Sequence, residues 1–255
     1  ELKRTGGALS DPTRRSLAAK VFKLTSYYDG LISDYFQKGR REASASSAGS
    51  LPGALSLTFK KSADLRYGEN PHQKGALYEE ASATAGIVKA KKLHGKELSF
   101  NNILDLDAAW EIVGDFKEPA CAIMKHTNPC GFAVGAGARE AFKSAYACDP
   151  LSAFGGIIGF NTEVDEKTAK EITKIGFVEC IVATGFSEAA LAELKQKKNL
   201  RLLLMGLKTG TQECYDFKKV SGGLLLQDRD VKDPAQGDLK CVTKLKPKKS
   251  QITDL

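Results

Sequence analysis

The sequence predicts an α/β protein: a layered, largely buried sheet with flanking helices. Two observations carry this. From about residue 75 to about residue 205, short apolar runs alternate with stretches of helical periodicity that begin on capping residues. The run Cys121-Ala122-Ile123-Met124 ends abruptly in Lys125-His126 and then Asn128-Pro129, so it reads as a buried strand delivering polar side chains at its carboxyl end. Ligand crevices of open α/β sheets lie at such ends. A Lys beside a His offers a proton acceptor working near neutrality and a fixed cation for a developing oxyanion. A surface Lys next to a capping His is the plainer reading of that dipeptide alone.

Composition bounds the rest. With 255 residues, 42% hydrophobic and 27% charged, the chain can bury one sizeable core or two small ones. No apolar run approaches the roughly 20 residues of a membrane span, and no secretory apolar core follows Glu1-Leu2-Lys3-Arg4. The missing initiator Met points to processing or truncation. Cys121, Cys130, Cys148, Cys180, Cys214 and Cys241 form no CxxC pair. Free thiols in a reducing, intracellular compartment, cytosol or organelle matrix, are therefore expected, without a structural metal. The 38 basic and 31 acidic residues leave a charge of +7, which favours anionic partners. Part of that surplus is a crowded tail, Lys244, Lys246, Lys248 and Lys249. No interleaved basic-aromatic strip accompanies it, so neither nucleic acid nor membrane is expected as a partner.

The elements follow in order. Ser10-Asp11-Pro12-Thr13 starts a helix, and Leu17, Val21, Leu24, Tyr28, Leu31 and Tyr35 give it an apolar stripe to about Phe36 that must pack on something. Residues 42–53 are Ser/Ala/Gly-rich and aperiodic, a linker and domain boundary. Leu55, Leu57 and Phe59 alternate as in a half-buried strand. Asp64 to Gln73 is a polar loop whose Arg66 can grip an anion and whose Tyr67 and His72 can stack on or hydrogen-bond a ring; a surface turn is the alternative. Asn101-Asn102 caps a helix with Ile103, Leu106, Trp110 and Val113 inward and Asp105 and Asp107 in its first turn. Trp110 reads as core. A helix spans about Ala138 to Ala147, and Gly155-Gly156 enter an apolar run, either for a close ligand or for packing alone. Asp165 caps a helix, Val178 to Val182 is a strand carrying Glu179, Ser187 caps a helix to about Lys195, and Leu202 to Leu204 and Val220 to Asp230 add further strand.

Several chemistries are set aside. There is no P-loop, no GxGxxG after a strand and no GxSxG elbow, and His72, His94 and His126 lack metal-site spacing. Cys130 is separated from His126 by a Pro-containing turn, which disfavours a Cys-His nucleophile. Anion binding with acid-base chemistry remains.

Five ordered stretches then carry a specific resemblance: Arg66 to Gln73, Leu98 to Ile103, Lys125 to Gly131, Asp149 to Gly156 and Gly222 to Asp230. From about residue 8 to about residue 250 the chain resembles the bifunctional AICAR transformylase/IMP cyclohydrolase family of purine biosynthesis, in its bacterial-type form. The resemblance implies a cytidine-deaminase-like subdomain without zinc, AICAR as the nucleotide and formyltetrahydrofolate as co-substrate. It makes His126 the proton acceptor and Lys125 the transition-state stabiliser. Arg66, Tyr67 and Gly155 match nucleotide-binding positions, Glu179 a carboxylate that orients substrate, and His72 a neighbour of the site.

By the same resemblance, residues 1–41 are the terminal helix of the cyclohydrolase domain and residues 54–255 the first transformylase subdomain. The second subdomain, with most folate contacts, would begin past Leu255, so this span alone is expected to be inactive and to lack cyclohydrolase activity. The full-length form is expected to be a homodimer. Thr184 stands where the family pattern has Pro. The alternative is a truncated homologue serving as a non-catalytic structural subunit among the partner subunits of a larger assembly.

Overall fold

A computed structural model describes residues 1–43, 51, 53–80, 83–206, 215–230 and 240–254. Most of the expected linker, 44–50 and 52, lies outside the described residues, as does Cys214. The chain divides into two compact units, Glu1–Thr209 and Gly210–Leu255.

In the first unit α1 (Asp11–Ala43) precedes an antiparallel ribbon of β1 (Phe59–Leu65) and β2 (Gly75–Glu80). Then follow β3 (Lys91–His94), α2 (Phe100–Gly114), β4 (Ala120–Lys125), β5 (Asn128–Val134), α3 (Ala138–Cys148), β6 (Ile157–Phe160), β7 (Glu163–Val164), α4 (Glu166–Lys174), β8 (Cys180–Ala183), β9 (Gly185–Phe186), α5 (Glu188–Leu194) and β10 (Arg201–Leu204). Six strands make the main sheet in the order β3-β10-β8-β6-β4-β5. The pairs β10-β8 and β8-β6 are parallel, whereas β3 and β4 run antiparallel to their neighbours β10 and β6.

Strand periodicity sorts the core into two layers. Cys121, Ile123, Ile158, Ile181 and Leu202 face Phe142, Ala145, Ala169, Ile172 and Leu194 of α3, α4 and α5. Ala120, Ala122, Ile157, Cys180, Val182 and Leu203 face Leu106, Trp110 and Val113 of α2. Helices thus cover both faces of a mixed sheet, the α/β class read from the alternation, and Trp110 is core at 3% exposure. Pro129 is tolerated in β5 because β5 is an edge strand, where a missing amide breaks no interior ladder. Gly131 lets β5 lie close against α3: a Cβ there would stand 2.0 Å from the Ala145 carbonyl oxygen.

Capping agrees with the sequence at α4 and α5, where Asp165 accepts from the Thr168 amide at 2.8 Å and Ser187 from the Ala190 amide at 3.1 Å. At α2 the cap is Ser99, not Asn101-Asn102. Ser99 Oγ accepts from the Asn102 amide, and Asn102 Oδ1 accepts from the Ser99 amide, a reciprocal capping box.

Three other expectations change. The strand runs over Phe59–Leu65 and is mostly exposed, because ladder bonds to β2 define it, and Leu55, Leu57 and Phe59 are themselves exposed. The helix α1 extends to Ala43, and Leu17, Val21, Leu24, Tyr28, Leu31 and Tyr35 are all exposed, so nothing among the described residues buries that stripe. Glu179 sits just before β8 rather than within it. Thr184 is half-buried in the step from β8 to β9.

In the second unit β11 (Tyr215–Val220) and β12 (Gly223–Asp228) form a hairpin turning at Ser221-Gly222, with Gly222 at φ 73°, and α6 (Lys249–Asp254) follows. No described helix is long and apolar enough to cross a membrane.

Candidate active site

Sheet direction decides where the polar groups meet. Because β4 runs antiparallel to β6, its carboxyl end lies beside the amino ends of β6, β8 and β10. The site is therefore not at the carboxyl ends of the parallel strands, as the general rule for open sheets suggests. Lys125 ends β4, Gly155-Gly156 enter β6, Glu179 enters β8 and Arg201 opens β10.

These groups are bonded to one another. Lys125 Nζ donates to the Phe154 carbonyl at 2.7 Å. The Gly155 amide donates to the Phe177 carbonyl at 2.8 Å and the Glu179 amide to the Gly156 carbonyl at 3.1 Å. Gly155 adopts φ 70°, where a Cβ would come 3.3 Å from the Phe177 ring and 3.9 Å from Lys125 Nζ. Glycine at this point lets backbone rather than side chain face the ammonium. Glu179 Oε2 accepts from Asn102 Nδ2 at 2.7 Å and Arg201 Nη1 at 3.3 Å, while Arg201 Nε donates to the Glu97 carbonyl at 3.2 Å. Both donors hold one oxygen of the carboxylate, Oε2, and no described hydrogen bond reaches Oε1.

His126 is not on the strand. Lys125 pairs with Asn128, so His126 and Thr127 are a two-residue hairpin loop, at φ 52° and 59°. Loops of this length favour turns with positive φ at both central residues, normally supplied by Asn-Gly or Gly-Gly. For residues with a Cβ, and for a β-branched Thr above all, each left-handed position costs roughly 1–2 kcal/mol. The Asp105 carboxylate of α2 offsets this by accepting from both amides, His126 at 3.2 Å and Thr127 at 2.6 Å. The His126 carbonyl accepts from Thr127 Oγ1 at 2.7 Å and Asn128 Nδ2 at 2.8 Å. The imidazole itself is exposed and has no hydrogen-bond partner among the described residues.

The second group of expected residues stands on the β1-β2 connection. Its loop is closed by Gly68 N–H to the Gln73 carbonyl at 2.8 Å and by the Asn70 amide to Gln73 Oε1 at 2.8 Å. Arg66 is exposed, stacks its guanidinium 5.4 Å from the centre of the half-buried Tyr67 ring, and has no carboxylate partner among the described residues. His72 is exposed at the loop tip. Asn101 Nδ2 donates to the Glu69 carbonyl at 3.4 Å, which ties the loop to the start of α2. Lys125, Gly155 and Glu179 are thus brought together with His126 at their side. Arg66, Tyr67 and His72 reach them only through α2; no described hydrogen bond or ion pair joins them directly.

Sequence reading missed Asn102, Asp105 and Arg201 as site-building residues. Asp105 does not lie in the first turn of α2; it faces inward with Asn102, Leu106, Ala109 and Val113. Two polar side chains three apart on an otherwise apolar face were the available signal. Burial, with Asp149 nearby, pushes the Cys130 thiol above its ordinary value, which works against the thiolate a Cys-His pair would need.

The exposed imidazole, tethered ammonium and bonded carboxylate at one end of the sheet, and on a separate loop an arginine with no carboxylate partner among the described residues, are residue types suited to an anionic substrate and proton transfer. The AICARFT/IMPCHase bienzyme family model matches the chain over residues 1–255, and the chain belongs to that family.

Proposed function

We propose that this chain carries the nucleotide-facing and proton-accepting half of an AICAR formyl-transfer site in purine biosynthesis, the pathway role of its family. The observation that supports it most is the Lys125-His126 corner. The ammonium is held by Phe154 O, and the next residue, His126, stands on a turn whose amides Asp105 holds, its exposed imidazole without a hydrogen-bond partner among the described residues.

The AICAR amine is conjugated to its ring and nucleophilically weak. As its nitrogen attacks the formyl carbon of formyltetrahydrofolate, His126 takes the amine proton and the carbonyl electron pair moves onto oxygen. Lys125 has three N–H donors and uses one on Phe154 O, so two remain for that oxyanion. Collapse breaks the carbon–nitrogen bond to the folate, whose nitrogen takes up the proton that His126 accepted from the amine. Arg66 is assigned to the 5′-phosphate, stiffened by its stacking on Tyr67. Gly155 presents backbone to the nucleotide, Glu179 Oε1 orients its polar groups, and His72 borders the site. No metal takes part in these steps.

The reading includes a cytidine-deaminase-like subdomain over residues 54–255 and a cyclohydrolase-derived helix over residues 1–41. A folate-binding surface beyond those residues and a homodimeric full-length form complete it. The 255-residue span is accordingly expected to bind AICAR without formylating it. Calorimetric titration tests this: saturable AICAR binding that Arg66→Ala abolishes is expected. Absence of binding would favour the structural-subunit alternative.

A further inference from the structure

We propose that Asp105 is a positioning residue: its carboxylate, by gripping the amides of His126 and Thr127, holds the hairpin loop in the left-handed conformation that aims the His126 imidazole. The proposal rests on the reading of His126 as the proton acceptor, but its geometric part stands apart from it.

The loop cannot hold this conformation from its own sequence. Neither His126 nor Thr127 is a glycine, both have positive φ, and Thr127 is β-branched. Something outside the loop must supply the preference, and the only group from outside the β4-β5 hairpin bonded to it among the described residues is Asp105, one oxygen to each amide. Asp105 is 8% exposed and on α2, an element packed against β4 and β6, so the grip comes from a fixed frame. It has no cationic partner among the described residues, which leaves both oxygens to the loop. The imidazole makes no bond of its own, so its direction follows from the backbone beneath it. A relaxed loop would change the point and direction from which the ring leaves the backbone.

The chemistry also explains a carboxylate rather than an amide. Here each of the two N–H groups goes to its own carboxylate oxygen. Asn offers one acceptor and turns an NH2 group toward the second amide. Asp105→Asn is therefore nearly equal in volume and wrong in polarity. Thr127→Gly lowers the cost of the left-handed position without touching Asp105.

The experiment uses the isotopically labelled 255-residue chain and follows amide hydrogen exchange together with the Cε1 proton of His126. In Asp105→Asn the His126 and Thr127 amides are expected to exchange at least about tenfold faster, while Leu106 and Trp110 keep their protection. The His126 ring signal is expected to move, and Asp105→Asn combined with Thr127→Gly to bring it back. Exchange within about twofold of the natural chain, loss of protection throughout α2, or a ring signal that Thr127→Gly does not restore would each overturn the proposal. AICAR added to the natural chain separates the two claims. If AICAR fails to move the His126 signal, the base assignment fails, and the exchange data still decide the role of Asp105.

Discussion

Lys125 and Gly155 share one corner: the ammonium is anchored on the carbonyl of Phe154, the residue before Gly155, and a Cβ at Gly155 would stand 3.9 Å from Lys125 Nζ. The anchor uses a single donor and keeps the cation beside backbone, in a space that side chains would otherwise fill.

Gly155→Ala is expected to lower stability by about 1–2 kcal/mol, from the left-handed φ and from the 3.3 Å approach to Phe177. It is also expected to weaken AICAR binding. Urea denaturation, read as a shifted midpoint at constant slope, checks the first effect, and calorimetry checks the second. An unchanged midpoint would contradict the backbone argument.

Glu179 should depend on its two donors. Asn102→Ala removes the 2.7 Å bond to Glu179 and half of the capping box at Ser99. A loss of about 1–2 kcal/mol is expected, with weaker AICAR binding. Ser99→Ala breaks the cap alone. If it weakens AICAR binding as much as Asn102→Ala does, the link to Glu179 is not what matters.

Thiol reactivity should follow burial. Burial first, and then Asp149, raises Cys130 above the ordinary 9.0, so at any given pH its thiolate fraction is below that of a free thiol. Its alkylation rate is expected to keep climbing above pH 9. Cys148 and Cys241, both exposed, should label first, and Cys121 and Cys180, both buried, only on unfolding. Mass spectrometry of iodoacetamide adducts against time and pH reads this order directly. Rapid labelling of Cys130 at neutral pH would contradict it.

Asp165 gives a test in acid. Its hydrogen bond from Thr168 holds the carboxyl below the usual Asp value, so the cap contributes stability above the unfolded-state pKa and loses it as pH falls through the folded value. Asp165→Ala should therefore cost about 1 kcal/mol at pH 7 and progressively less below pH 4. Thermal unfolding of both proteins across that range makes the comparison. A difference that grows in acid would refute it.

Alternation of short apolar runs with capped helices made the sheet and its helices legible, down to Asp165, Ser187 and the burial of Trp110. The direction of β4 was not legible. An apolar run looks the same in a parallel and an antiparallel strand, and the next strand, β5, hides behind Pro129. Because β4 in fact runs antiparallel to β6, the candidate site residues gather at the amino ends of β6, β8 and β10. Lys125 at a strand end and Gly155 before an apolar run were singled out from the residues, and Glu179, read within a strand, by the resemblance; the structure sets the three in neighbouring hydrogen-bonded segments. Asp105, Asn102 and Arg201 were not found, because each acts through a bond to a segment at least 20 residues away. The apolar stripe of α1 shows the reverse case: amphipathic periodicity gives the helix, but not what covers it.

The most direct measurement of the central claim is steady-state formyl transfer from formyltetrahydrofolate to AICAR by the full-length gene product, with His126→Ala and Lys125→Met compared against the natural protein. Each variant is expected to lose about 100-fold or more in kcat while KM for AICAR stays within about threefold, because the two side chains act on the proton and the oxyanion of the transition state. A kcat within a few-fold of the natural value in both variants would contradict the assignment of formyl-transfer chemistry to this corner.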